Sequence, residues 1–258
     1  MFFHKIYKHY NITFPRFDTM LDSISIYIVN YKDDERRQKM INRFAQFQIT
    51  PHFVDPVEET DARMDIPDFK HKRTAAIMLQ HLDSIRHFID HTSNSHCIVC
   101  EDDIMISKDF YDDMPNIIST FEMHQLDVLL LGYLWPYKID DNNYHFSKKH
   151  QTSENNTLND KYTFRNYPND LWGSQMYLIS RDHAMYLLET FTMNYAVEHQ
   201  SNPPYYNPDW TLTKSGNRAI LYPMLAVEEG DTKTEHSGQN DFHRSCFLCN
   251  YDPSVFLL

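Results

Sequence analysis

Strand-like and helix-like stretches alternate along this chain, and that alternation narrows the fold more than any other feature. Residues 23–29 (SISIYIV) alternate polar and apolar side chains, the two-residue period of a half-buried strand. Residues 34–47 follow with Met40, Ile41, Phe44 and Phe47 at helical spacing, and residues 50–54 read as a short second strand containing Pro51. Residues 73–91 read as a longer amphipathic helix, with Ile77, Leu82, Ile85, Phe88 and Ile89 on or near one face. Residues 96–99 form the next strand, 110–121 a helix interrupted early by Pro115, and 127–132 (DVLLLG) an apolar strand. Residues 173–179 then read as a strand, 181–190 as a helix and 219–222 as a further strand. Strands separated by helices predict an α/β domain with a central, mainly parallel (mixed) sheet flanked by helices. Residues 136–170 break the rhythm. They are polar, rich in Asn, Asp, Lys and Tyr, and read as a long loop with room for a hairpin; loops of that length in compact domains are often functional. No repeat or linker composition interrupts the rest, so the expectation is a single domain over 23–258 behind an N-terminal extension, 1–22.

Composition excludes several classes of function. The 258 residues suffice for a full hydrophobic core, and 41% hydrophobic with 14% aromatic content is globular. Glycine is scarce, at 5, and neither the G-x-x-x-x-G-K-[ST] nor the G-x-G-x-x-G pattern occurs. A phosphate-bearing ligand would therefore need a metal or cationic side chains. A net charge of −12 argues against nucleic acid as a partner, and the basic runs 70–73 and 148–150 are short enough to be solvated surface. No apolar run approaches the ~20 residues of a membrane span, and residues 1–14 lack the continuous apolar core of a secretory leader, so the expected location is the cytoplasm. Without a leader, the Asn-x-Ser/Thr triplets at Asn11 and Asn155 carry little weight.

The stretch CIVCEDDIMISKDF, residues 97–110, joins two competing ligand sets. Cys97 and Cys100 form one Cys-x-x-Cys and Cys246 and Cys249 another, a pattern that can mark zinc. Strand alternation turns an i, i+3 pair to opposite faces, however, and neither pair carries the glycine of a zinc-binding turn; buried free thiols are the preferred reading. Glu101, Asp102 and Asp103 end an apolar strand, and in open α/β sheets ligands bind beyond the carboxyl ends of the strands. The same alternation places Glu101 and Asp103 on one side and Asp102 on the other. Three adjacent negative charges repel, and a hard divalent cation such as Mn²⁺ or Mg²⁺ would relieve that repulsion while bridging to a diphosphate. The competing interpretation is an acidic loop that is simply solvated.

Motifs over about residues 24–240 resemble glycosyltransferase family 25, the group of lipopolysaccharide galactosyltransferases and collagen hydroxylysine glycosyltransferases. Ile28-Val29-Asn30-Tyr31 with Glu35-Arg36-Arg37 resembles the family's INL…DRR opening, with a slightly shorter gap. Leu79-Gln80-His81 resembles its LSH, with Gln for Ser. Residues 98–104 (IVCEDDI) resemble LVLEDDV, and residues 172–181 (WGSQMYLISR) resemble WGTxAYLISR, followed by Ala184, Leu187 and Leu188. Pro208-Asp209 resembles a later Asp before a helix, and Pro223-Met224-Leu225-Ala226 a P-L-A strand end.

The resemblance implies a GT-A-like fold and transfer of a hexose, galactose or glucose, from a UDP-sugar to a hydroxyl of a glycan or of hydroxylysine in a collagen-like protein, with inversion. It implies that Val29 and Asn30 lie beside the base and ribose. Arg36 pairs with the diphosphate or caps the first helix. Asp103 ligates the metal, with Glu101 facing the metal or the ribose and Asp102 turned toward backbone or sugar hydroxyls. His236, in Glu235-His236-Ser237-Gly238, is the expected third ligand, with His243 the alternative. Asp209 is the expected base, or else a helix N-cap. Trp172 and Gly173 form a sugar platform, or Trp172 is a buried structural residue. A module that binds nucleotide-sugar without catalysis and a cysteine-based zinc adaptor are the competing classes. Heavy use of Asn, Lys, Ile and Tyr suggests an AT-rich genome, such as that of a large DNA virus or a parasite.

Overall fold

The computed structural model describes residues 24–137, 157–158, 161–166, 171–201, 206–230 and 237–257. The expected N-terminal extension and most of the 136–170 loop lie outside these residues.

Ten strands and seven α-helices make up the described chain. In order they are β1 (Ile24–Val29), α1 (Asp34–Ala45), β2 (His52–Phe53), α2 (Lys72–His91), β3 (His96–Glu101), β4 (Ile104–Ile106), α3 (Phe110–Met123) and β5 (Val128–Leu134). Then come β6 (Thr157–Leu158), β7 (Tyr162–Arg165), β8 (Trp172–Ser180), α4 (Arg181–Thr190), α5 (Met193–His199), α6 (Pro208–Thr211), β9 (Arg218–Tyr222), β10 (Ala226–Glu228) and α7 (Ser237–Asn250). Eight strands form one sheet in the order β2-β1-β3-β8-β5-β9-β7-β6. The β1–β2, β1–β3 and β5–β9 pairs are parallel, while β8 runs antiparallel to both β3 and β5 and β7 antiparallel to β9 and β6. All the sheet strands except β8 and β7 therefore point the same way, as the alternation of strands and helices predicts. The expected hairpin is present as β6–β7.

Side chains on the two faces of this sheet enter two separate cores. Cys97, Val99, Leu130 and Tyr177 pack with α2 residues such as Met78, Ile85 and Phe88, and with Ala184 and Leu187 of α4. Ile98, Cys100, Leu129 and Leu178 pack with Met40 and Phe44 of α1 and Met114, Ile117 and Phe121 of α3. Fully burying a Val, Leu, Ile, Phe or Met side chain contributes about 1.5–3 kcal/mol relative to exposure. The division also settles the cysteines. Cys97 and Cys100 are free thiols in opposite cores and cannot share an ion.

Three elements differ from the sequence reading. Helix α3 continues through Pro115, which sits one turn in from the N-terminus and is itself buried. Residues 104–106 and 226–228 form a small antiparallel ribbon, β4–β10, separate from the main sheet. Residues 237–250, where the sequence pattern predicts no element, form α7, which buries Cys246. Among the described residues no helix is long and apolar enough to cross a membrane.

Candidate active site

Parallel strands bring their last residues to one edge of the sheet, and an antiparallel neighbour brings its first residues to that same edge. Val29 ends β1, Glu101 ends β3 and Leu134 ends β5, while Trp172, Ser174 and Gln175 open β8. All of them line a single cavity of about 990 Å³, with Asp103, Asp209 and His243 among its other walls.

At Asp102 the chain turns out of the sheet and enters the ribbon. The turn changes the expected geometry, because alternation predicts that Asp102 faces away from Asp103. In the fold, Arg36 Nη1 donates to Asp102 Oδ1 and to Asp103 Oδ2, each at 3.1 Å. Asp102 Oδ2 accepts from Asn30 Nδ2 at 2.6 Å, and Gln80 Nε2 donates to the Asn30 carbonyl at 2.8 Å. Asn30 and Asp102 thus form a buried knot that ties β1 and α2 to the acidic turn, although Asp102 also lines the cavity. Arg36 does not cap α1 with its guanidinium; Asp33 is the N-cap and accepts from the Arg36 amide at 2.9 Å.

Asp209 is not an N-cap either. Asn207 caps α6 by accepting from the Asp209 amide at 2.9 Å. The Asp209 side chain instead crosses to β8, where its Oδ1 accepts from the Gly173 and Ser174 amides at 2.7 and 2.8 Å. Ser174 Oγ lies 2.5 Å from Glu101 Oε1 and 3.0 Å from Asp209 Oδ1, so one hydroxyl proton is shared between two buried carboxylates. A Cβ on Gly173 would lie 2.4 Å from Leu130 Cδ1, which explains the glycine by packing. Trp172 is partly exposed at the cavity mouth and meets Trp210 edge-on, with ring centroids 5.4 Å apart.

Negative charge accumulates here with few compensating cations. Burial, then the Glu228 carboxylate, push Asp103 up to about 7, with Arg36 pulling the other way. Burial and the charges of Asp103 and Asp209 hold Glu101 well above the ordinary carboxylate range. Asp209 is raised by burial, although the donors from β8 oppose the shift. Burial also raises Asp102, against Asn30 and Arg36. Glu228 ends β10 and bonds His243 Nδ1 of α7 at 2.6 Å. Burial disfavours charge on that ring, but Glu228 outweighs it and the His243 pKa is raised.

The donor set suits a hard cation: carboxylate oxygens from Glu101 and Asp103, and a buried Asp103 Oδ1 with no hydrogen-bond partner among the described residues. Those residues contain no complete group of three or more His, Cys, Asp or Glu around one point. His236, the expected third ligand, lies outside the described residues, and His243, the alternative, reaches the cavity wall. Ser174, Gln175, His81 and Glu228 were missed by the sequence reading as site residues. Two adjacent polar residues, Ser174 and Gln175, inside an otherwise apolar strand were the available signal, as was Glu228 closing the apolar run 224–227.

An acidic strand end facing a cavity on an α/β sheet is an arrangement suited to handling phosphate-linked sugars, and over residues 89–200 the chain carries the sequence signature of a glycosyltransferase. Residues 89–200, from the end of α2 through the acidic turn to α5, match the model of glycosyltransferase family 25 (LPS biosynthesis protein), the family that the sequence motifs resemble. Among solved structures, the fold is similar to A197 from STIV, with 12% identity, a TM-score of 0.43, and 83% of this chain and 95% of that one covered. It is also similar to a glycosyltransferase involved in the glycosylation of the major capsid of PBCV-1, with 8% identity, a TM-score of 0.40, and 86% and 98% covered. At these values the likeness is one of general outline. No curated protein matches the chain.

Proposed function

We propose that this glycosyltransferase is metal-dependent and moves galactose or glucose from a UDP-sugar to a hydroxyl of a glycan or of hydroxylysine in a collagen-like protein, with inversion. The observation that carries the reading is Asp103, a buried carboxylate with an unpartnered oxygen beside Glu101 and Glu228 in the wall of the cavity. Mn²⁺ or Mg²⁺, held by Glu101 and Asp103 with a ligand from the C-terminal segment (His236 or His243), would neutralise the charge that develops on the departing diphosphate. Arg36 holds the acidic turn and offers a cation on the nucleotide side of the cavity that Val29 also lines. Asp209, whose Oδ1 is fixed by two β8 amides, takes the proton of the acceptor hydroxyl as the acceptor oxygen bonds to the anomeric carbon and the bond between that carbon and the diphosphate oxygen breaks, releasing UDP. A base with a raised pKa suits this task near neutral pH. The exposed face of Trp172 stacks against pyranose C–H groups. A net charge of −12 favours a basic acceptor chain.

The test is a screen of UDP-sugars with Mn²⁺ and varied hydroxyl acceptors, reading UDP release by wild type and Asp103→Ala. Release from one UDP-hexose by wild type, lost in a folded Asp103→Ala, is the expected result. Tight UDP binding without turnover would instead identify a binding module, and no response to any UDP-sugar would end the proposal.

A further inference from the structure

Three residues that line this cavity each carry a buried polar atom with no hydrogen-bond partner among the described residues: Asp103 Oδ1, His81 Nε2 and Gln175 Oε1. Leaving such an atom unpaired is costly, so its presence in a residue of the cavity wall points to a ligand group that completes it. The metal reading accounts for Asp103 only.

His81 and Gln175 lie beside one another in the fold. The His81 ring stacks on Tyr177 of β8 at 5.9 Å, and Gln175 is two residues earlier on that strand, hence on the same face. The β3–β8 register, Cys100 against Met176, continues to place Gln175 opposite Glu101. Both side chains therefore stand at the carboxylate end of the cavity. Their chemistry is complementary. The Tyr177 hydroxyl is buried, with His81 Nδ1 at 3.0 Å as its partner. Donation from Tyr177 to Nδ1 leaves the proton on Nε2, the ring nitrogen without a partner among the described residues. Burial pulls the His81 pKa down to about 3, so the ring is a neutral donor at physiological pH. Gln175 offers a neutral acceptor. A neutral N–H and a neutral C=O, buried beside a site for a charged diphosphate, match groups that both donate and accept without charge, which are the hydroxyls of a sugar.

We infer that His81 Nε2–H and Gln175 Oε1 bind hydroxyls of the transferred hexose and set which hexose the enzyme accepts. The inference rests on the UDP-hexose reading of the site. Calorimetry with Mn²⁺ tests it by comparing UDP with UDP-glucose and UDP-galactose on wild type, Gln175→Leu and Gln175→Asn. The expected result is unchanged affinity for UDP, a loss of about 10–100-fold for the preferred UDP-hexose, and a narrowed ratio between the two epimers. Gln175→Asn, which keeps the amide but withdraws its oxygen, serves if the leucine variant fails to fold. Equal changes for UDP and UDP-hexose, or an epimer ratio that stays put in both variants, would overturn the inference alone. Absence of UDP and UDP-hexose binding by wild type would overturn the parent reading and this one together.

Discussion

Asp103 combines a cost in stability with a role in the site. Burial and neighbouring carboxylates disfavour its charge, and Arg36 compensates only in part. Replacing it by Asn removes the charge with little change of shape. The expected result is a metal-free protein more stable by about 1–2 kcal/mol, or roughly 2–8 °C in Tm for a chain of this size, together with loss of UDP release. Thermal unfolding in chelator checks the first half, and a lower Tm in Asp103→Asn would show that the Arg36 pair outweighs the repulsion. At this scale the charged residues were legible, Glu228 excepted. Glu101 and Asp103 follow an apolar strand, and Asp209 follows the Asn-Pro that starts a helix. The neutral residues were not, because His81, Ser174 and Gln175 acquire meaning only when α2, β3 and β8 meet. The partners of Arg36 were also hidden, since a turn at Asp102 rather than continued alternation brings two carboxylates to one guanidinium.

Among the elements, the β4–β10 ribbon fixes where the acidic turn sits. Ala226 of β10 pairs with Ile106 of β4, Leu225 N donates to Leu131 O of β5, and Glu229 N donates to Asp103 O at 2.7 Å. Arg43 of α1 locks the same corner, donating to Ile104 O at 2.7 Å and to Glu229 Oε1 at 2.5 Å. The ribbon can approach β5 because Gly132 has no side chain there. A Cβ at that position would lie 2.8 Å from the Ala226 carbonyl oxygen, which is backbone and cannot rotate away. Gly132→Ala should therefore destabilise the fold by about 1–3 kcal/mol and lower activity by moving Glu228 and Asp103, an outcome read by denaturant unfolding alongside UDP release. Wild-type stability in this variant would mean that the ribbon does not depend on that close approach. The ribbon escaped the sequence reading because three-residue strands carry too few positions for a period, and α7 because its polar residues mask a single buried side, centred on Cys246. The longer elements were legible since 20 residues in α2 and nine in β8 display their periods several times over.

For the whole molecule, the pattern of strands and helices carried the class of fold but not the strand order. A two-residue period reports that a strand has two faces, not which neighbours it has or which way it runs, so the antiparallel insertion of β8 between β3 and β5 could not be read from it. That insertion makes the site, because it brings Ser174 and Gln175 to the edge where β1 and β3 end. It also concentrates charge: of a net −12, Glu101, Asp102, Asp103, Asp209 and Glu228 are gathered at one corner, where solvent screens them poorly. A cation that binds only the folded chain stabilises it by mass action, by about 2.7 kcal/mol at a hundredfold excess over Kd. Mn²⁺ should accordingly raise Tm by roughly 5–10 °C over the chelated protein, given about 2–4 °C per kcal/mol for chains near this size. The rise should shrink sharply in Asp103→Asn and persist in a variant of an exposed surface acid such as Glu35→Gln. If Mn²⁺ stabilised wild type and Asp103→Asn equally, the ion would be acting on the general negative charge of the molecule rather than at this corner.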